Sequence, residues 1–509
     1  MSEADTVLAL LAGGANAATA VAAPGREPLD YAGLRDHVGR TIGRLNELGI
    51  GRGDRVAIVL PNGPEMASAF VSVAAAATTA PLNPNYRRKE YDFYLEDLGA
   101  KALLVEAGSE SDSVESARSL GIAVLELHVP GGARAGEFEL AADLDGPPAP
   151  VASPGAAGSG DIALVLHTSG TTSRPKLVPL LQSNLAASAG NIRRTLRLTP
   201  EDLCLNVMPL FHIHGLMAPV LASLSAGAAV SCTPGFNALR FFGWLDDVAP
   251  SWYSAVPTMH QAVIARSSRN PESVARARLR FIRSSSASLP PQVLHELEDT
   301  FGAPVVEAYA MTEAAHQMTC NPLPPDERKP GSVGPAAGPE VSVMDEAGTL
   351  LGAGEIGEVV IRGPNVTPGY ENNPTANAEA FTHGWFRTGD QGVMDSEGYL
   401  TLTGRLKEII NRGGEKISPK EVDEVLMDHP AVRQVVTFAV PHAKLGEEVA
   451  AAVVLREGIE AAPAEIRAFA SERLADFKVP RRVLVLDEIP KGPTGKLRRI
   501  GLAEQLGIA

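Results

Sequence analysis

The sequence predicts an α/β protein with more than one domain, on three observations. At 509 residues the chain exceeds what a single hydrophobic core supports. From residue 27 to about 150, and again from 161 to about 400, helical and strand-like periods alternate, the rhythm of helices packed on a mostly parallel sheet. Beyond Asn411 to Lys416 the character changes to a compact α+β unit of about 100 residues, a common domain size.

The first predicted helix runs from Tyr31 to Leu48, with Leu34, Val38, Ile42, Leu45 and Leu48 at helical spacing and Gly49 as its stop. Gly53-Asp54-Arg55 leads into a strand over Val56 to Leu60, which Pro61-Asn62-Gly63 turns into the next helix. Two uncharged stretches, Met66 to Tyr86 and Gly215 to Asn237, are rich in small residues and broken by Pro, so they predict packed core helices rather than membrane spans. Gly146 to Gly160, rich in Pro, Ala and Gly, reads as a surface connector.

After a predicted strand over Ile162 to Leu166 comes Thr168-Ser169-Gly170-Thr171-Thr172-Ser173-Arg174-Pro175-Lys176. Hydroxyls, a Gly and successive backbone N–H groups make a cradle for a polyphosphate, with Arg174 and Lys176 at its rim. A Walker-type loop would need Gly before the Lys and Ser or Thr after it; here Pro175 and Leu177 stand there. The net charge of −15 argues against a nucleic-acid partner and requires any phosphate site to be locally basic. Cys204, Cys232 and Cys320 lack metal-ligand spacing and suit a reducing cytoplasm. Glu3 and Asp5 precede the first apolar run, against a secretory signal, and Gly507-Ile508-Ala509 is not a peroxisomal address.

Further along, Pro209-Leu210-Phe211-His212-Ile213-His214-Gly215 places two His before a small-residue helix. Glu307-Ala308-Tyr309-Ala310-Met311-Thr312-Glu313 follows the apolar Val305-Val306, where an aromatic, a hydroxyl and a carboxylate could stack a base, hold a phosphate and bind Mg²⁺. Thr388-Gly389-Asp390 ends a turn in a carboxylate suited to a ribose diol. Gly404-Arg405-Leu406-Lys407 and Asn411-Arg412-Gly413-Gly414-Glu415-Lys416 read as a hinge or mobile active-site loop, with Lys416 a candidate cofactor contact. Ser418-Pro419-Lys420-Glu421 is a capping box opening a helix with Val422, Val425 and Leu426 inward. Strands over Ala451 to Leu455 and Val483 to Leu486 flank a helix over Ile466 to Leu474, and Pro490 to Lys496 is a Gly/Pro loop carrying Lys496.

In this order the motifs resemble those of the adenylate-forming superfamily, which includes acyl-CoA synthetases, luciferases and peptide-synthetase adenylation domains. The resemblance covers nearly the whole chain, although family members usually carry Gly where this chain has Ser173. It implies a large multi-layer N-terminal domain, 1–404, of α/β subdomains with a β-barrel-like part, and a small α+β lid domain, 405–509. It also implies ATP, Mg²⁺ and coenzyme A, and two steps: acyl-adenylate formation, then thioester formation after the lid rotates. By position, Thr168 to Lys176 (Thr168, Ser169, Gly170, Thr171, Thr172 and Lys176 above all) would hold the β- and γ-phosphates, and Thr312 would lie near the α-phosphate. Glu313 would ligate Mg²⁺, Tyr309 with Glu307 and Ala308 would form the adenine side, and Asp390 with Arg405 would hold the ribose. Lys496 would be the adenylation lysine; a cation there offsets charge building on the α-phosphate, and an ionised carboxylate needs no general base.

Finer similarity is to the oxalate–CoA ligases of plants and fungi. It rests on Thr168 to Lys176, Trp252-Tyr253-Ser254-Ala255-Val256-Pro257-Thr258-Met259-His260-Gln261, Arg280-Phe281-Ile282-Arg283-Ser284-Ser285-Ser286-Ala287-Ser288-Leu289 and Glu307 to Met318. It implies an acid pocket at Ser286 and His316, with His212 a further substrate-binding candidate. Hydroxyls and a His suit a small polar acid, whereas a fatty-acid tunnel wants apolar walls; His316 could equally support only the Thr312–Glu313 loop. The alternatives are a ligase for another short, medium-chain or fatty acid, and an enzyme loading a carrier protein, although the chain ends soon after Lys496. A third is a silent scaffold, against which Lys176, Glu313, Asp390, Arg405 and Lys496 stand.

Overall fold

The computed structural model describes residues 4–143, 148–168, 175–490 and 497–509. Two large sheets dominate it. In the seven-stranded one, Arg55–Val59 lies at the centre, paired in parallel with Thr78–Pro81 and Ala102–Glu106. Its edges are antiparallel: Glu139–Asp143 on one side and Lys176–Leu181 on the other, the latter paired with Ile162–Thr168. The eight-stranded sheet runs in the order His316–Cys320, Val305–Met311, Phe281–Ser285, Trp252–Ala255, Leu203–Asn206, Ala229–Cys232, Thr19–Ala22, Leu29–Asp30. Its six inner strands are parallel, and both edges are antiparallel. One apolar core joins the sheets through helices such as Tyr31–Glu47 and Pro64–Ala74, so these strands are covered on both faces, as parallel strands require.

The barrel-like part is a five-stranded antiparallel sheet of Glu340–Met344, Ile356–Arg362, Phe381–Thr382, Trp385–Met394 and Leu400–Arg405. The C-terminal α+β unit has a sheet with long strands Val432–His442 and Gly446–Leu455, the short Ile410–Arg412 and Glu415–Ile417, and Arg482–Val485 in parallel. Helices Pro419–Met427 and Pro463–Ser471 complete its own core around Val422, Leu426, Val453 and Ile466. Half of the predicted capping box is present, the Glu421 N–H donating to Ser418 Oγ at 3.3 Å, whereas the Glu421 carboxylate accepts from Lys478 Nζ at 2.6 Å. The two uncharged stretches are not all helix. Met66 to Tyr86 holds the end of helix Pro64–Ala74 and strand Thr78–Pro81; Gly215 to Asn237 holds helical turns to Ser225 and strand Ala229–Cys232. Strands buried on both faces carry no alternation, so periodicity does not separate them from a buried helix. Among the described residues no helix is long and apolar enough to cross a membrane.

Candidate active site

Parallel strands of an open α/β sheet present their loops at the carboxyl edge, where such folds bind ligands. Here Ser286 follows strand Phe281–Ser285, Thr312 follows Val305–Met311, and His212 to Gly215 lie in the connection after Leu203–Asn206. Ser286, Ala315 and His316 hold left-handed backbone, with φ of +73°, +46° and +97°. Left-handed non-glycine residues cost energy and cluster where packing fixes a loop for function. The His214 ring stacks on His316 with centroids 4.9 Å apart. Its Nδ1 meets Ser286 Oγ at 3.0 Å and its Nε2 meets Ser254 Oγ at 2.7 Å. Of the two His in the Pro209–Gly215 motif, then, His214 meets Ser286 and His316, while His212 packs its ring against Phe211 at 4.6 Å.

A second group gathers around the turn Thr312–Ala314. Glu313 is buried, one carboxylate oxygen accepts from Tyr370 OH at 2.8 Å, and burial pushes its carboxyl above its usual range. Lys176 Nζ sits 4.3 Å from the Tyr370 ring centroid. Backbone bonds fix this geometry: Thr367 N–H donates to Glu313 O at 2.7 Å, Glu371 N–H to Leu177 O at 3.1 Å, and Asn365 Nδ2 to Ala314 O at 2.8 Å. The phosphate-loop strand and the Glu313 turn are thus held by one segment, 365–371. Thr168 pairs in register with Lys176 at the base of the loop; Ser169, Gly170, Thr171 and Thr172, like Lys496, lie outside the described residues. Among the described residues no group of three or more His, Cys, Asp or Glu surrounds Glu313. That donor set fits Mg²⁺, which takes one or two carboxylates and completes its shell with phosphate oxygens and water, and a cation would relieve the buried carboxylate.

The third group lies where the large sheet meets the antiparallel one. Tyr309 OH donates to Asp390 at 2.5 Å, and Arg405 Nε donates to the other oxygen of Asp390 at 2.9 Å. Thr388-Gly389-Asp390 is not the end of a turn but lies inside strand Trp385–Met394; Asp390 and Arg405 are register partners across adjacent strands, which is why the two motifs, fifteen residues apart, converge. Glu307 is buried rather than solvent-facing; it accepts from Leu289 N–H at 2.8 Å, and burial pushes its carboxyl to about 7. Ala308 O accepts from Ser285 Oγ at 2.8 Å. Lys416 stands exposed on Glu415–Ile417 of the C-terminal sheet.

Three residues in or beside these groups escape sequence reasoning, Arg283 among them, whose Nη1 donates to Ser254 Oγ at 3.3 Å. Arg283 and Ser254 sit inside strands, where side chains ordinarily only pack; register pairing of Ser254 with Arg283 on adjacent strands brings them together. Tyr370 follows a Pro-Gly turn and carries no charge to mark it; an isolated aromatic after that turn was the available signal.

Lys176 beside Tyr370, the buried Glu313 carboxylate and the Asp390–Arg405 pair gather around the carboxyl end of strand Val305–Met311, the place where open α/β enzymes bind ligands. The chain belongs to the AMP-binding enzyme family, whose model matches residues 12–371, with the AMP-binding enzyme C-terminal domain matching 421–496. It is similar to the oxalate–CoA ligase of Arabidopsis thaliana, 47% identical over 94% of each chain. It is also similar to the oxalate–CoA ligase of Saccharomyces cerevisiae, 44% identical over 89% of this chain and 87% of that one. The fold superposes on ATP-bound MatB from Rhodopseudomonas palustris with a TM-score of 0.87 and 28% identity, covering 98% of each.

Proposed function

We propose that this protein is an ATP-dependent oxalate–CoA ligase working through an oxalyl-adenylate. One oxalate carboxylate oxygen attacks the α-phosphorus of ATP; the bond to the β-phosphate oxygen breaks, and pyrophosphate leaves with that electron pair. The CoA sulfur, having given up its proton, then attacks the acyl carbon, and the C–O bond to AMP breaks. In this reading Thr168 to Lys176 cradle the β- and γ-phosphates, Thr312 lies by the α-phosphate and Glu313 holds Mg²⁺, whose charge offsets that of the phosphates. Tyr309, on the strand carrying Glu307 and Ala308, faces adenine; Asp390 and Arg405 take the ribose hydroxyls, and Lys496 meets the α-phosphate. Residues 405–509 act as the lid, and Lys416 serves the cofactor side of the closed form.

The observation that carries the choice of acid is the polar cluster of Ser286, His214 and His316, three hydrogen-bonding side chains where a long acyl chain would need apolar walls. Three buried, unbridged thiols support a cytoplasmic setting. The test is an acid panel: protein, ATP, Mg²⁺ and CoA with oxalate, other short acids and long-chain fatty acids, following pyrophosphate and acyl-CoA. Oxalate-dependent formation of both is the expected result; turnover with long-chain acids alone overturns the reading.

A further inference from the structure

Arg283 is fully buried in the middle of the eight-stranded sheet, and among the described residues no carboxylate pairs with it. Burying a guanidinium without a counter-ion is expensive, so a well-packed apolar side chain would be the cheaper occupant of this strand position. Its neighbours are Ser254 Oγ at 3.3 Å and His214 Nε2 at 3.4 Å from Nη1, and Gln317 Oε1 at 3.2 Å from Nη2; among the described residues Nε has no partner. Besides His214, the titratable groups that act on it are the thiols of Cys204 and Cys320, which burial pushes up and keeps neutral. Burial brings the guanidinium itself down only to about 10, so it remains a cation at neutral pH.

We infer that Arg283 is a positioning residue that sets the tautomer of His214 and thereby makes Ser286 a hydrogen-bond donor to the acid. A guanidinium only donates. Ser254 Oγ accepts from it and turns its own hydrogen towards His214 Nε2, at 2.7 Å, the nitrogen that Arg283 Nη1 also faces at 3.4 Å. With two donors facing it, Nε2 has no place for a proton, so the ring proton sits on Nδ1 and donates to Ser286 Oγ at 3.0 Å. The Ser286 hydroxyl accepts that hydrogen on one of its lone pairs, and because Nδ1 then offers it no acceptor, its own hydrogen is left to donate to an anionic oxygen. His316 is a further titratable group against His214, stacked on the same ring with centroids 4.9 Å apart. This chain deepens the proposed function and rests on its placing of the acid beside Ser286. It supplies what a second carboxylate needs there: a fixed donor, backed by positive charge that the substrate's own charge answers.

The test uses Arg283→Met, Arg283→Lys and the wild type, with oxalate KM and kcat measured from about pH 6 to about pH 8.5, where oxalate is fully ionised. In wild type and Arg283→Lys the KM profile is flat. In Arg283→Met the ring is free to carry its proton on Nε2, so KM at high pH rises about tenfold or more, the worth of a hydrogen bond to a charged group. It recovers as acid protonates both ring nitrogens, while kcat changes less. A KM increase equal at every pH, with Arg283→Lys no better than Arg283→Met, overturns the assignment. The ¹⁵N shifts of His214 in ¹⁵N-histidine-labelled wild type, assigned with His214→Gln, decide it independently of activity and of whether the Arg283 variants fold. The expected state is Nδ1–H with bare Nε2; a proton on Nε2 overturns it. Absence of oxalate turnover by wild type would sink the functional reading and leave the tautomer result standing.

Discussion

Glu307 gives up water for the N–H of Leu289, and the loss of solvation outweighs that bond, since its carboxyl rises to about 7. Between the ordinary carboxylate range and that value the folded protein holds a proton that the unfolded chain releases. Stability on this account is present at acidic pH and is lost as pH rises towards about 7. Glu307→Gln keeps an acceptor for Leu289 and cannot ionise. Its thermal stability relative to wild type should therefore improve between pH 5 and pH 8, by on the order of 1–3 kcal/mol from the size of such a shift. Melting curves across that range check it, and a difference independent of pH would show that Glu307 is ionised in the fold. Asp390 differs in its partners: one oxygen accepts from Tyr309 OH and the other from Arg405 Nε.

Helix Pro419–Met427 ties the C-terminal unit to the sheet before it. Ser418 caps this helix and also donates to Thr403 O, while Lys420 Nζ donates to Leu402 O at 2.8 Å. Any rotation of the unit has to break both bonds to strand Leu400–Arg405. Ser418→Ala loses the cap, typically worth about 1 kcal/mol, and one of these ties. Hydrogen exchange should then speed up in Pro419–Met427 and at its junction with Leu400–Arg405, while strand Val432–His442 stays protected; unchanged exchange at the junction would mean that the tie contributes nothing. This cap was legible from Ser-Pro-Lys-Glu alone because capping is chemistry between residues three apart. Helix Tyr31–Glu47 was legible from its apolar spacing, and strand Arg55–Val59 from its bounding turns. What stayed hidden depends on residues far apart in the chain. His214 and Arg283 meet only through the order of parallel strands, and Tyr370 reaches Glu313 across 57 residues. Thr78–Pro81 and Ala229–Cys232 were unreadable for another reason: burial on both faces erases the alternation that marks a strand.

At the scale of the whole molecule, two chemical steps share one carboxyl edge, and each needs different groups beside the acyl centre. Adenylation brings a carboxylate up to a triphosphate, so it calls for cations; thioester formation calls for room and a path for the CoA thiol. Assigning Lys496 to a C-terminal unit with its own core lets the first requirement be withdrawn before the second is met. Lys496→Ala should therefore lose most pyrophosphate release from oxalate and ATP, by about 100-fold or more if it supplies the main electrostatic contact to the α-phosphate. It should still convert supplied oxalyl-adenylate and CoA into oxalyl-CoA at near wild-type rate. Single-turnover assays of the two half-reactions measure both sides of this split. Equal losses would mean that Lys496 supports the closed form as a whole, and the division of labour between lid positions would have to be abandoned, even with the adenylation chemistry intact.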